Sequence, residues 1–196
     1  MNRLDVDYEW RVWFGRNPVR RIWKRRLAEE VVRQLGSYGG PLLDIGCGSS
    51  PQVCKFHNVV GMDISVGKLG FVGGKTGGKF VGGSSDTLPF KSRIFDRIVV
   101  SEVIEHLSDP DLLERESFRC LKPGGRIVIA TPDSHSLVWR SVEWLDKKIQ
   151  KNGHCSDHTS KFDLPSLRYL FPTSKWEFIG KRRLFGSDLV VSYKKR

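Results

Sequence analysis

Three groups of side chains have the types and spacing for chemistry. The first is Asp44-Ile45-Gly46-Cys47-Gly48, followed 19 residues after Asp44 by Asp63. An acid, a pair of glycines and a second acid at this distance suit a nucleoside ligand. Glycines let backbone N–H groups approach the ligand, and an acid at the next strand end accepts from a ribose diol. The second group is Glu102-Val103-Ile104-Glu105-His106. Glu102 and Glu105 stand one helical turn apart beside His106, a set that would ligate Mg²⁺ or a transition metal. The same residues also read as a general-base or acceptor-positioning histidine, or as a loop cap without chemistry. The third is a polar loop, 151–161, in which His154, Asp157 and His158 are candidates for an acceptor pocket, against the alternative of a solvated loop.

Two phosphate-binding readings fail on spacing. The glycine loop has G-x-G, but Pro51 stands where the third glycine of G-x-G-x-x-G belongs. Gly74-Lys75-Thr76 ends like a P-loop, but Leu69 occupies the position of its first glycine, so this tract reads as a loop.

The elements that position these residues alternate. Asn17 caps and Pro18 starts a helix whose apolar residues Val19, Ile22, Trp23, Leu27, Val31 and Leu35 recur at three- and four-residue steps to a stop at Gly36. Residues 1–17 read as an aromatic and polar lead-in. Strands are expected at 42–45, 59–63, 79–82, 96–100 and 126–130, with a helix from Pro110 to Leu121 closed by a Lys122-Pro123-Gly124-Gly125 turn. Nine glycines in residues 61–83 make any helix there weak. Helices at 137–149 and 163–171 precede two late strands, 176–180 and 189–193. This rhythm predicts an α/β fold, a Rossmann-like doubly wound, seven-stranded, mostly parallel sheet with a terminal antiparallel hairpin. Trp139 and Trp144 read either as the wall of an apolar pocket or as core.

These segments, in order, resemble the class I S-adenosylmethionine-dependent methyltransferases, in particular the type 11 and ubiquinone-biosynthesis-like O-methyltransferase group. Leu42 to Ser49 resembles the first motif, Val60 to Ser65 the second, Phe80 to Phe90 the third and Phe95 to Leu107 the fourth. Leu121 to Arg126 resembles the turn before the fifth strand, so the likeness covers residues 38–135. It implies S-adenosylmethionine as cofactor. It places Asp44 near the methionine part, and Ser101 and Glu102 facing the methionine end and the acceptor. Gly46 and Gly48 stand where the backbone approaches the cofactor, with Cys47 between them in the same cofactor-binding loop. Asp63 is placed on the ribose and Ile64 beside the adenine. Ser84 stands where the group often has an Asp, so either Ser84 or Asp86 meets the adenine amine. The metal reading of Glu102, Glu105 and His106 is similar to the site of small-RNA 2′-O-methyltransferases. With His154 and His158, Glu105 and His106 are also the candidate catalytic residues.

The chain has 196 residues and a net charge of +11. Residues 11–26 carry +7 and residues 175–196 carry +5, leaving the rest at −1. Trp10, Trp13, Phe14 and Trp23 interleave with the first set. That combination fits a lid helix with solvated arginines, an anionic membrane surface or RNA. The expected division is an N-terminal helical segment, 1–37, and a methyltransferase domain, 38–196. No apolar run approaches a membrane span, and four cysteines without a CxxC pair read as free thiols in a reducing cytoplasm, with a peripheral place at a membrane as the variant. Strand four lacks the Asn-Pro-Pro-aromatic or Asp-Pro-Pro-aromatic ending of base amino-methylation, and no Pro-Cys pair suggests covalent cytosine chemistry. The reading is methyl transfer to oxygen or carbon of a small-molecule or lipid-like acceptor. The alternatives are a metal-assisted RNA 2′-O-methyltransferase and a non-catalytic, S-adenosylmethionine-binding partner subunit.

Overall fold

The computed structural model describes residues 6–141 and 159–196. Five strands run parallel: β1 (Leu42–Ile45), β2 (Val59–Asp63), β3 (Lys79–Gly82), β4 (Phe95–Ser101) and β5 (Leu121–Pro132). β6 (Trp176–Leu184) and β7 (Asp188–Lys195) form a hairpin whose second strand inserts antiparallel against β5. The order β3-β2-β1-β4-β5-β7-β6 bears out the predicted doubly wound sheet with its terminal hairpin. The direction of winding reverses between β1 and β4, and ligands of open α/β sheets bind in the crevice at such a point.

Alternation along the central strands feeds two cores. Leu43, Ile45, Ile98, Val100, Ile127, Ile129, Val191 and Tyr193 face one side. There they meet Leu113 of α4 (Pro110–Cys120) and Leu167 and Leu170 of α5 (Leu164–Leu170). Leu42, Val99, Val128, Ala130 and Val190 face the other, against Leu27, Val31 and Leu35 of α2 (Pro18–Leu35). A strand covered on both faces is apolar at nearly every position, as β1 is. α2 matches its predicted bounds. Asn17 Oδ1 accepts from Arg20 N at 3.1 Å, and Gly36 ends the helix at φ +64°.

Three expectations need correction. Residues 8–14 are not an irregular lead-in but a helix, α1 (Tyr8–Phe14), with Trp13 buried. The glycine-rich tract forms a helix, α3 (Val66–Thr76), which includes Gly74-Lys75-Thr76. Ser65 caps it and burial of Leu69 and Val72 supplies what propensity does not. Lys122 to Gly125 is the irregular start of β5, with the register shifting opposite Phe95 to Arg97 and Gly124 at φ +73°. Among the described residues, no helix is long and apolar enough to cross a membrane.

Candidate active site

The carboxyl ends of β1, β2 and β4 open into a cavity of about 1100 Å³. At one end the chain leaves β1 through Gly46, whose N–H donates to Met62 O at 2.7 Å. Gly46 sits at φ +71°, and a Cβ there would stand 2.2 Å from Val103 Cγ2, so only glycine fits. Gly48 N donates to Asp63 Oδ2 at 2.8 Å and Ser65 N to Asp63 Oδ1 at 2.8 Å. These two bonds fix the Asp63 carboxylate at the end of β2 while its remaining lone pairs face the cavity. Asp44 is buried and lines the cavity, and its carboxylate accepts no hydrogen bond from the described residues. Burial, with a smaller push from Asp63, raises its pKa to about 7.

Cys47, Ile64, Ser84, Asp86, Ser101 and Glu102 also line the cavity, whereas Gly48 acts from behind it through Asp63. Both Ser84 and Asp86 are present, joined by Asp86 N donating to Ser84 Oγ at 3.3 Å. Burial pushes the Cys47 thiol well up, which removes it as a nucleophile.

The other end is organised by α2. Glu102 has φ +57°, a strained value for a side chain with a Cβ, and its N–H donates to Ala130 O at 2.8 Å. The bend aims its carboxylate at the Lys24 ammonium, with which it pairs. Burial alone would lower the Lys24 pKa, but the charge and hydrogen bond of Glu102 outweigh it and leave the ammonium raised. Beside the pair, Trp23 Nε1 donates to Asp188 Oδ2 at 2.7 Å, and burial raises Asp188 to about 6.

The predicted convergence of Glu102, Glu105 and His106 on a metal does not form. Glu102 is committed to Lys24. Glu105 is buried, accepts from Thr131 Oγ1 at 2.9 Å, and is raised to about 8, chiefly by burial. His106 is exposed on the cavity rim. Among the described residues, no group of three His, Cys, Asp or Glu side chains is arranged to hold an ion. His154 and His158, with Asp157 and Trp144, lie outside the described residues. Trp139 lines the cavity on one side of that segment, and on the other Ser160 N donates to Glu105 O at 3.0 Å.

Sequence reasoning offered α2 as a lid helix but missed the side chains that α1 and α2 bring to the site. Lys24 had a readable signal, since it shares the helical phase of the buried Leu27, Ala28 and Val31. Glu9 of α1 had none. Its carboxylate accepts from Ser49 Oγ at 2.6 Å and Ser49 N at 3.2 Å and pairs with Lys68 at 2.5 Å, tying α1 to the glycine loop and to α3.

Residues 43–129 match the methyltransferase domain family. A demethylmenaquinone methyltransferase of Streptomyces griseus is 33% identical, over 87% of this chain and 82% of its own. The chain belongs to the methyltransferase domain family. It is a class I S-adenosylmethionine-dependent methyltransferase. Several other curated relatives are about twice as long as the matched region. The ubiquinone/menaquinone biosynthesis C-methyltransferase of Vibrio cholerae, 28% identical, is spanned over 47% of its length. Among solved structures, a possible histamine N-methyltransferase of Thermotoga maritima superposes with a TM-score of 0.75 at 18% identity, covering 96% of this chain and 95% of its own. That likeness is one of fold.

The methyltransferase has donors and acceptors that suit its cofactor. Asp44 is a buried carboxylate without a donor among the described residues, facing a cavity. Asp63 is held rigid with acceptor capacity to spare. The glycine turn leaves no room for a Cβ. Together they fit a ligand that brings an ammonium group, a ribose diol and close backbone approach.

Proposed function

We propose that this methyltransferase acts on a lipid-like acceptor with an ionisable ring hydroxyl, of the hydroquinone class, and methylates a ring carbon. One observation carries the reading. Above the Lys24–Glu102 pair the cavity wall turns apolar, with Val12, Val19, Ile22, Trp23, Val138 and Phe185, and Val19, Ile22, Val138 and Phe185 remain exposed at its mouth. A polar head site under an apolar exit suits a ring with a hydrocarbon tail. The activities of the quinone-methylating relatives agree with it.

S-adenosylmethionine supplies an electrophilic methyl group on a sulfonium. When it is bound, Asp63 would accept from the ribose hydroxyls, Asp44 would face the ammonium, Ile64 would flank the adenine, and Ser84 or Asp86 would meet its amine. Glu102 takes the proton of the acceptor hydroxyl, and the Lys24 ammonium beside it stabilises the oxyanion whose electrons make the ring carbon nucleophilic. Once that carbon carries the methyl it loses its own hydrogen as a proton, and the ring is restored. The hydroxyl is reprotonated through Glu102, and one proton in all leaves the site. Glu105, neutral below about pH 8, keeps the neighbouring wall uncharged. His106 on the rim passes the proton to solvent.

The test is methyl transfer by the full chain to an isoprenoid-tailed hydroquinone and to its tail-less counterpart. We expect kcat/KM to be at least about tenfold higher on the tailed compound, consistent with burial of several methylene groups. Lys24→Met should lower kcat about 100-fold while calorimetry shows cofactor affinity within about threefold, because an oxyanion-stabilising donor acts on the transition state. Cofactor binding without transfer to any hydroquinone would overturn the acceptor assignment.

A further inference from the structure

We infer that the cavity mouth is a docking surface for an anionic lipid bilayer. The mouth is a rim of three elements joined at the β6–β7 turn. Ser136 Oγ donates to Gly186 O, and a Cβ at Gly186 would lie 3.2 Å from Val138 Cγ2, which places residues 136–138 on the turn. Trp23 Nε1 bonds to Asp188 and places α2 on it as well. Val19 at 73% exposure, Ile22 at 56%, Val138 at 48% and Phe185 at 54% line this rim, and Leu137, at 75%, precedes Val138 in the chain. Isolated exposed apolar residues are ordinary, but four around one cavity mouth, with Leu137 next to one of them, form a patch.

Charge decides the occupant. On α2, Arg26 lies on the helical face of Val19 and Ile22, Arg16 stands exposed in the bend just before the helix, and residues 10–28 hold no acid. Arg140 follows Leu137 by one helical turn, whereas Arg183, two residues before Phe185, is engaged with Asp133. Arginines flanking aliphatic side chains suit a membrane interface, where the guanidinium groups meet anionic headgroups and the apolar tips enter the acyl boundary. A second copy of this chain would bring a like-charged rim to the patch. Single-stranded nucleic acid would require exposed stacking aromatics, and among the described residues Trp23 and Trp139 of the cavity wall are half-buried while Phe185 is exposed.

This docking deepens the lipid-acceptor reading and rests on it for its purpose, because a tailed acceptor then enters from the bilayer without crossing water. Vesicle binding is measured without methyl transfer, so either inference can fail while the other stands.

The experiment is co-sedimentation of the full chain with vesicles of phosphatidylglycerol and phosphatidylcholine, against vesicles of phosphatidylcholine alone. Binding to the anionic vesicles should be at least tenfold tighter and should weaken with added salt. Val19→Asp with Leu137→Asp should reduce that binding at least tenfold, as should Arg16→Glu with Arg26→Glu. All four side chains are exposed, and circular dichroism checks that each variant is folded. Equal partition onto both vesicle types, or binding untouched by either pair, overturns the proposal. So does a dimer in gel filtration that Val19→Asp with Leu137→Asp dissociates, which would give the face to a second copy. Vesicle binding that a single-stranded RNA displaces, and that only the arginine pair weakens, would give it to nucleic acid.

Discussion

Gly46 and Glu105 show how single residues constrain this site in opposite ways. At Gly46 the backbone is left-handed and Val103 occupies the space of a side chain. Gly46→Ala must therefore displace the glycine loop or Val103, and a calorimetric titration should show cofactor affinity reduced at least about 100-fold, or roughly 3 kcal/mol. Glu105 is constrained electrostatically. Its pKa rises from 4.5 to about 8 on folding, so between those values the folded state binds the extra proton. Stability contributed by the protonated form is complete below about pH 4.5 and is lost as pH rises through about 8. The slope is at most about 1.4 kcal/mol per pH unit in that window. Glu105→Gln keeps an acceptor for Thr131 and removes the titration. Urea unfolding at pH 5 and pH 8.5 should show the variant's advantage growing with pH. An advantage that is constant with pH would mean that Glu105 ionises normally.

Elements set which of these residues meet. Asp44 and Asp63 were legible because a buried strand has a fixed end, and both acids stand at such ends. The metal reading of Glu102, Glu105 and His106 failed because it assumed a regular helix. The chain instead takes a left-handed step at Glu102 and then a single 3-10 turn, Ile104–His106, which separates the three side chains. α1 was invisible for another reason. Its seven residues are too few for a periodic signal, and its stability comes from tertiary contacts: Trp13 in the core and Glu9 on Ser49 and Lys68. Glu9→Ala should therefore loosen α1 selectively. Tryptic cleavage after Arg16 should accelerate several-fold while amide protection in β1, β4 and β5 is unchanged. Uniform loss of protection would show that α1 is part of the cooperative core.

For the whole molecule, the excess charge of the two terminal segments is partly spent on structure. Lys24 pairs with Glu102, Arg33 with Glu30, Arg183 with Asp133 and Lys175 with Glu114, while Lys195 Nζ donates to Phe118 O and Leu121 O. The two segments also adjoin in space. Gln34 of α2 donates to Val190 O at 3.1 Å, and Arg182 of β6 is near enough to Glu30 to help lower its pKa. The sequence showed the charge at both ends but not their meeting, because that depends on β7 inserting beside β5. The doubly wound sheet with its terminal hairpin was legible from the alternation of elements. The partner of α2 was not, since no local pattern encodes a contact between residues so far apart.

That long-range docking also governs how the chain comes to be folded. The helix that roofs the cavity is bonded to residues 156 and 165 positions further along. During synthesis Leu27, Val31 and Leu35 are exposed long before Val190 exists to cover them, and closing so large a loop is entropically expensive. The attachment of α2 should thus follow the rate-limiting barrier. Leu27→Ala should cost about 2–5 kcal/mol at equilibrium. In stopped-flow experiments nearly all of that cost should appear as faster unfolding, with the refolding rate almost unchanged. Refolding slowed in proportion would place α2 in the nucleus instead. If the attachment is late, the active-site roof is the last part of the enzyme to be assembled, and a nascent chain holds a basic helix with an uncovered apolar face that invites chaperones until the β6–β7 hairpin closes.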